Sequence, residues 1–267
     1  MKARHYLFIL FILLITAWMV WSHTGRNYSA PAPPPLPAVM QAVMLDSACA
    51  RNVVAIQPWM EPDDYFSEQH FYEKLNNYFT RARQNGYFNS HTVVLLPEYL
   101  GTWLVMAGEK RSIAESPTIT AAMTILIFSN FPSFVRYWLQ FNPEKQAETA
   151  LFRMKARQMA RIYTTVFRRL ASGFGVTIVA GSIVLPDPSV FKNEITVHLT
   201  GELYNTSFVF YPDGSIDPRV VRKTYLTSGE QGFTASCPIE QLPVFQTAIG
   251  QCCRVNLCRL LVSGKLY

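Results

Sequence analysis

The sequence has no Cys-x-x-Cys pair and no His-Glu-x-x-His motif. Its five cysteines are Cys49, Cys237, Cys252, Cys253 and Cys258. This odd number, at this spacing, specifies neither a disulfide framework nor a zinc knuckle. The five histidines are dispersed without metal-ligand spacing. We therefore expect no protein metal site.

Charged residues are also scarce, at 16% of the chain, while 49% of its 267 residues are apolar. That composition excludes a disordered chain and suffices for one large α/β domain or two small ones. The net charge of +6 is scattered except for one basic segment. Its basic residues are Arg153, Lys155, Arg157, Arg161, Arg168 and Arg169. Apolar residues between them indicate a helix with a solvated basic face. Without an RNA- or DNA-binding motif, we expect no nucleic-acid partner.

The N-terminus carries a targeting or anchoring segment. Lys2, Arg4 and His5 precede an uncharged apolar run from Tyr6 to Trp21. The charge before the run favours a cytoplasmic N-terminus, and no small-x-small cleavage site follows. We predict an uncleaved signal anchor or transmembrane helix over residues 1–24, with the rest of the chain outside the cytoplasm.

A proline-rich linker over residues 25–50 follows the anchor. Its core, Ala30 to Pro37, reads APAPPPLP and predicts an extended spacer. The folded domain is predicted over residues 51–250.

The domain begins with a strand, helix, strand pattern. Val53 to Ile56 predicts a buried strand, and Asp63 and Asp64 are candidate N-caps of a helix that Gly86 ends. The stretch Val93 to Gly101, VVLLPEYLG, predicts a second buried strand that ends in a carboxylate. This order indicates an α/β layered core.

Glu98 is the carboxylate at the end of that strand. Burying it beside Leu96 and Leu100 is costly unless the carboxylate is paired, protonated or used in catalysis. The residues Val93 to Gly101 alone leave one alternative open, in which Glu98 lies at the surface and caps a loop.

The following segments alternate helix and strand. Thr118 to Leu139 is apolar but interrupted, which favours a buried or interfacial helical insertion over a second membrane span. A helix is predicted from Pro143 to Leu170, ended by Gly173 and Gly175. Further strands are predicted at Val176–Leu185, Ile195–Leu199 and Leu203–Tyr211. Gly181, in the middle of the first of these, indicates a bend or a close backbone approach.

Four segments resemble the nitrilase superfamily of carbon–nitrogen hydrolases. They are NVVAIQPW from Asn52, LLPEYLG from Leu95, VAGSIV from Val179, and YNTSFVFYPDGSI from Tyr204 leading to RKTYLTSGE. Their order along the chain is that of the superfamily. The resemblance implies a four-layer α/β/β/α sandwich, here incomplete. It also implies a small amide or nitrile substrate and no cofactor, and it is compatible with a homo-oligomer.

The resemblance further implies a glutamate, lysine and cysteine catalytic set. Glu98 matches the general base and acid, and Lys223 matches the lysine that stabilises the oxyanion. Glu230 resembles a second glutamate that helps to position the substrate. A thiolate that attacks an amide or nitrile carbon needs these partners. The gap from Glu98 to Lys223 is long for the family, and the helices between Thr118 and Leu170 are the predicted insertion, which we interpret as a membrane-facing lid.

The cysteine of this set is missing from its expected place. It should follow Lys223 on a strand of the form Gly-Val-Leu-Ile-Cys, but residues 251–267 have no such strand and no acidic residue. Cys258 lies nearest to the expected position, and Cys252 and Cys253 are the other candidates. Cys258 lacks the neighbours that would position a nucleophile, and for Cys252 and Cys253 free thiols in an unstructured tail are the favoured interpretation.

A shift of one base in the reading frame explains the mismatch. With permitted synonymous codons, Arg254 to Tyr267 can then spell Val-Leu-Ile-Cys-Ala-Asp-Ser-Trp-Tyr-Pro-Glu-Ser-Phe. We infer a frameshift that makes residues 251–267 a non-native tail and leaves this chain truncated and inactive. A gene whose next frame lacks the motif would refute this.

Two other functions stay open on the sequence alone. Some relatives transfer the acyl group to an amine, which makes an N-acyltransferase the nearest enzymatic alternative. The other is a membrane-tethered binding protein in which Glu98 and Lys223 form a structural ion pair.

Overall fold

The computed structural model describes residues 2–26, 51–141, 146–247 and 250–252. The α-helices are α1 Lys2–His23, α2 Glu68–Gln84, α3 Ile119–Ser129, α4 Phe131–Trp138 and α5 Gln146–Phe174. The strands are β1 Asn52–Ala55, β2 Thr92–Leu95, β3 Thr177–Val179, β4 Ile183–Pro186, β5 Pro188–Phe191, β6 Glu194–Val197, β7 Leu203–Ser207, β8 Val209–Phe210, β9 Val221–Arg222, β10 Phe245–Thr247 and β11 Gly250–Cys252. Short 3-10 helices lie at Pro62–Tyr65, Thr102–Met106, Arg111–Ile113 and Ile239–Gln241. The predicted proline-rich core of the linker and Cys258 lie outside the described residues.

The first sheet has the strand order β1-β2-β3-β8. Its first three strands are parallel, and β8 is antiparallel to β3. Parallel neighbours need a crossover, which α2 provides between β1 and β2, and α3 to α5 provide between β2 and β3. The strand, helix, strand prediction and the mixed α/β class are confirmed.

One face of this sheet is covered by α2 and α5. Val94 and Ile178 are fully buried against aromatic side chains from both helices. The Phe71 ring meets the Phe167 ring edge-on at 6.0 Å, and Tyr163 meets Phe167 at 4.5 Å. Because deleting a buried phenylalanine side chain costs about 3–5 kcal/mol, the contact between Phe71 and Phe167 fixes α5 against α2.

The opposite face is covered unevenly. Val93, Val179 and Val209 are buried with Phe245 in a separate small cluster. Val53 is 51% exposed, so the prediction of a buried first strand is wrong for this face. The reason is that β1 is the edge strand of the sheet among the described strands. The four-layer sandwich stays a prediction.

The second sheet has the antiparallel order β4-β7-β9. Residues 176–185 and 203–211 therefore do not form one strand each, as predicted, but two. The first breaks at Gly181, where an added Cβ would lie 2.3 Å from the Pro97 carbonyl oxygen. This contact confirms the predicted close backbone approach.

The start of α2 differs from its prediction. The N-cap is Ser67, whose side chain accepts from the His70 N–H, and not Asp63 or Asp64. Asp64 lies in the preceding 3-10 helix and pairs with the buried Lys74 at 3.0 Å. A buried lysine needs a charged partner, which explains why the carboxylate is not free to cap α2.

The C-terminal ends of two helices involve glycine. Gly86, with φ of +74°, follows the C-cap of α2, as predicted. For α5, Gly173 lies inside the helix, and Gly175, with φ of +67°, ends it.

The basic face of α5 is only partly solvated. Arg157, Arg161 and Arg169 are exposed, but Arg153 and Lys155 are buried, so the predicted fully solvated face is wrong at these two positions. Arg153 donates to the Leu199 and Gly201 carbonyls, and Lys155 pairs with Glu109 at 2.7 Å. Both are buried because their charges are satisfied internally.

α1 is apolar and exposed along most of its length. It is the one helix of the described residues that is long and apolar enough to span a membrane by itself. α3 and α4 meet the same test only as a pair, bent by 100° at Asn130.

The C-terminal end of α1 packs against α3. Trp18 Nε1 donates to the Phe128 carbonyl at 2.9 Å. Arg26 donates to the Ser129 carbonyl and pairs with the buried Glu109 at 3.3 Å. The predicted insertion is therefore attached to the predicted anchor.

Candidate active site

Glu98 lies three residues beyond the C-terminal end of β2, in a turn with unusual backbone geometry. The next residue, Tyr99, has a φ of 64°, a conformation that non-glycine residues rarely adopt. The Tyr99 N–H donates to Ser182 Oγ at 2.8 Å, and the Gly101 N–H donates to the Ser182 carbonyl at 2.9 Å. These bonds fix the turn against the segment between β3 and β4.

Two glycines allow that close contact. An added Cβ at Gly101 would lie 2.6 Å from the Tyr163 ring, and one at Gly181 would lie 2.6 Å from Leu100 Cβ. Tyr163, fully buried in α5, donates from its hydroxyl to the Gly181 carbonyl at 2.7 Å. The turn that carries Glu98 is thereby packed on the helix layer as well as on the second sheet.

Lys223 directly follows β9 and lies beside β7. Its backbone N–H donates to the Asn205 carbonyl at 2.9 Å, which continues the β7–β9 ladder by one residue. Its Nζ lies 2.6 Å from Glu98 Oε1 and 2.6 Å from Glu230 Oε2. The structure thus brings together the three charged residues that the sequence singled out, while their catalytic roles stay predictions.

Asn205 completes this cluster and was not assigned a role from the sequence. Its Nδ2 donates to Glu98 Oε1 and to Glu230 Oε1, both at 2.7 Å. Asn205 lies in the segment YNTSFVFYPDGSI, which resembles the superfamily, and this is the one indication of its importance in the sequence. The pairing of β7 with β9 places Asn205 beside Lys223 and so explains its role in the cluster.

Glu230 is the most enclosed of the three charged groups, with a side chain that is 1% exposed. Burial alone would raise the pKa of Glu230, but hydrogen bonds from Lys223, Tyr99, the Thr227 backbone and Asn205 outweigh it and lower this pKa to about 2. The Thr227 N–H and hydroxyl both donate to Oε2 at 2.8 Å. Glu230 is therefore a fixed carboxylate at neutral pH.

Lys223 is held in its charged form. Burial alone would lower the pKa of Lys223, but its bonds to Glu230 and Glu98 outweigh burial and raise this pKa above the ordinary value. An ammonium has three donors, and the two carboxylates accept two of them. The third donor has no hydrogen-bond acceptor among the described residues.

Glu98 is more accessible than its two partners. Its side chain is 23% exposed, against 6% for Lys223 and 1% for Glu230. It lines a cleft of about 290 Å³ together with Trp59, Tyr99 and Trp103. Of the three charged residues, Glu98 is the one that lines this cleft, so a small molecule bound there would contact Glu98.

Cys237 is the one thiol among the described side chains. Its backbone N–H donates to the Lys223 carbonyl, but its Sγ faces Gln241 Oε1 at 3.7 Å. Burial raises the pKa of the Cys237 thiol, although the nearby Arg222 opposes this. A nucleophilic cysteine needs the opposite shift, so Cys237 has the properties of a structural thiol. The backbone of Cys252 lies in β11 and pairs with Phe245, so the prediction of an unstructured tail is wrong at this residue.

Comparison with solved structures finds members of the nitrilase superfamily. Nit3 of Saccharomyces cerevisiae, a member of branch 10 of that superfamily, is similar at 18% identity and a TM-score of 0.35 over 69% of this chain. An amidase from Nesterenkonia sp. gives 13% identity and a TM-score of 0.40 over 74% of this chain. The NitFhit protein of C. elegans is similar at 16% identity and a TM-score of 0.40 over 74% of this chain.

This similarity is partial. The chain spans 48% of the yeast protein, 52% of the amidase and 36% of the NitFhit protein. Scores below 0.5 leave the function to be inferred from the site residues themselves. No family model and no curated protein matches the chain.

Proposed function

We propose that this site belongs to a membrane-anchored hydrolase of non-peptide carbon–nitrogen bonds, acting on amides or nitriles. The observation that supports the proposal best is the position of Lys223 Nζ, 2.6 Å from both Glu98 and Glu230. α1 would be the anchor, and the site would lie on the extracytoplasmic side. A cysteine after residue 250 would be the nucleophile.

The proposed reaction uses Glu98 twice. Glu98 takes the thiol proton, and the thiolate attacks the amide carbon to form a carbon–sulfur bond. As the carbon–nitrogen bond breaks, Glu98 gives the proton to the leaving amine. Water then attacks the thioester with Glu98 as its base, which releases a carboxylic acid and restores the thiol. The Lys223 ammonium stabilises the oxyanion in both halves of the reaction.

Glu230 supports Lys223 in this proposal. With a side chain only 1% exposed, it has little surface to offer a substrate. Its lowered pKa keeps it charged, so it holds the lysine ammonium in place while Glu98 exchanges protons.

A non-catalytic binding protein is the second candidate. Residues 251–267 lack the expected cysteine segment, and the one described thiol has a raised pKa. In that case Glu98 and Lys223 would serve as a structural ion pair beside a small-molecule cleft.

Labelling with an amide-bearing electrophile such as iodoacetamide, followed by peptide mapping, separates the two candidates. The proposal expects a frame-corrected protein to be labelled at one cysteine after residue 250. It expects the labelling rate to fall on the order of 100-fold in Glu98→Gln and in Lys223→Ala. The exposed Glu240→Gln is the matched control and should label at the parent rate. Labelling that is equally fast in all variants would favour the structural ion pair.

A further inference from the structure

A second cavity lies beside the Glu98 cleft. Its volume is about 330 Å³, and it shares Met60, Tyr65 and Trp103 with the cleft as lining residues. The two spaces therefore lie side by side. Together they fall within the size range of small-molecule sites.

The lining of the second cavity is mostly apolar. Val105, Ile113, Ala122, Met123, Leu126 and Leu151 contribute to its walls. Its lining includes the polar residues Glu61, Ser116 and Thr118. Of these, Thr118 is committed to capping α3, where its side chain accepts from the Ala121 N–H. Such a lining favours a hydrocarbon group over a polar one.

One wall of this cavity belongs to the helix that contacts α1. Ala122, Met123 and Leu126 lie on α3, and the C-terminal end of α3 receives the Trp18 hydrogen bond. Ile119, at the start of the same helix, lines the cavity and is 63% exposed. The cavity wall and the contact with the proposed membrane anchor therefore lie on the same helix, α3.

We propose that this cavity holds the unbranched alkyl chain of an amide whose carbonyl group lies at Glu98. The identity of the amide group rests on the proposed function, whereas the apolar chain rests on the cavity. A long-chain amide partitions into a bilayer, so it would reach the protein on the side where α1 and α3 pack. The cavity would then select substrates by chain length.

Binding of primary amides to the full chain tests this proposal without requiring turnover. Butanamide, hexanamide, octanamide and decanamide would be titrated by calorimetry into the protein in phosphatidylcholine nanodiscs, with empty nanodiscs correcting for partition. The Kd should fall roughly fourfold for each added methylene until the cavity is filled. A Kd that does not depend on chain length would overturn the proposal.

Two adjacent alanines on α3 provide a matched pair of variants. Ala122 lines the cavity and Ala121 does not, although both are half-buried. Ala122→Phe should raise the Kd for decanamide at least tenfold and leave that for butanamide unchanged. Ala122→Val should give an intermediate value, and Ala121→Phe should match the parent. Equal effects of the two phenylalanine variants would contradict the proposal.

The outcome is separable from that of the proposed hydrolase. Chain-length-dependent binding, together with no amide hydrolysis by the frame-corrected protein, would support the cavity and reject the enzyme. Hydrolysis of butanamide and decanamide at equal efficiency would support the enzyme and reject the cavity.

Discussion

Lys223 Nζ and Glu98 Oε1 lie 2.6 Å apart although the two residues are separated by 125 positions in the chain. β2 delivers the carboxylate and the β7–β9 pairing delivers the ammonium, so the contact joins the two sheets. Glu230 and Asn205 complete a cluster in which every charge has an opposite charge or a hydrogen-bond donor.

Replacing Glu230 should be costly because it leaves Lys223 partly unpaired in a buried position. We expect Glu230→Gln to lower the free energy of unfolding by about 3 kcal/mol. The control Glu240→Gln, at an exposed position, should change it by less than about 0.5 kcal/mol. Chemical denaturation at neutral pH measures both. If the two variants had similar free energies of unfolding, the described cluster would be contradicted.

The stability difference between the parent protein and Glu230→Gln should depend on pH. Glu230 has a folded pKa of about 2, below its ordinary value of 4.5. Its contribution to stability is therefore complete above about pH 4.5 and is lost as the pH falls toward 2. The stability difference between the parent and Glu230→Gln should narrow across this range. A difference that stays constant from pH 5 to about pH 2 would show that the carboxylate is not held ionised.

Asn205→Asp tests the donor between the two carboxylates. The substitution removes both N–H bonds and adds a third carboxyl group at a site that is 2% exposed. We expect a loss of stability of about 2–4 kcal/mol at neutral pH that becomes smaller at acidic pH, as the new carboxyl group is protonated. Asn205→Ala removes the donor without adding a charge, so its loss of stability should not become smaller at acidic pH. Thermal melts of both variants across acidic pH provide the measurement.

Gly181→Ala tests the packing that fixes the Glu98 turn. The added methyl would overlap the Pro97 carbonyl oxygen at 2.3 Å, so the turn must move. We expect a loss of about 1–3 kcal/mol in the free energy of unfolding. Gly173→Ala is the matched control because nothing lies within 4 Å of its added Cβ, and a helical glycine replaced by alanine should gain about 0.5–1 kcal/mol. If Gly181→Ala were neutral, the described approach of the two segments would be incorrect.

Arg26→Met tests the attachment of α1 to α3. Arg26 donates to the carbonyls of Ser22 and Ser129 and pairs with the buried Glu109. Its loss should loosen this junction and raise hydrogen exchange at the end of α1 and around Asn130 by about tenfold. Arg157→Met, on the exposed face of α5, should leave exchange there unchanged. Identical exchange in the two variants would contradict the attachment.

The sequence predicted the parts of the fold that depend on local pattern. The strand that delivers Glu98, the glycine stop after α2 and the close approach at Gly181 follow from apolar runs and glycine chemistry. The segments that resemble the nitrilase superfamily also predicted which three charged residues would meet.

The errors arose where long-range contacts decide the outcome. Val53 is exposed because β1 is an edge strand, which an apolar run cannot reveal. Lys155 is buried because Glu109 lies 46 positions away in the chain and 2.7 Å away in space. The sequence does not predict a role for Asn205 for the same reason, since that role depends on strand pairing with β9.

Hydrolysis of butanamide, measured as ammonia release, tests the assignment of Glu98 most directly. We expect release by the frame-corrected protein, a fall in kcat/KM of about 100-fold or more in Glu98→Gln, and an unchanged kcat/KM in Glu240→Gln. The chain with residues 251–267 as printed should release none. Undiminished release by Glu98→Gln would contradict the assignment of Glu98 as the acid and base of the site.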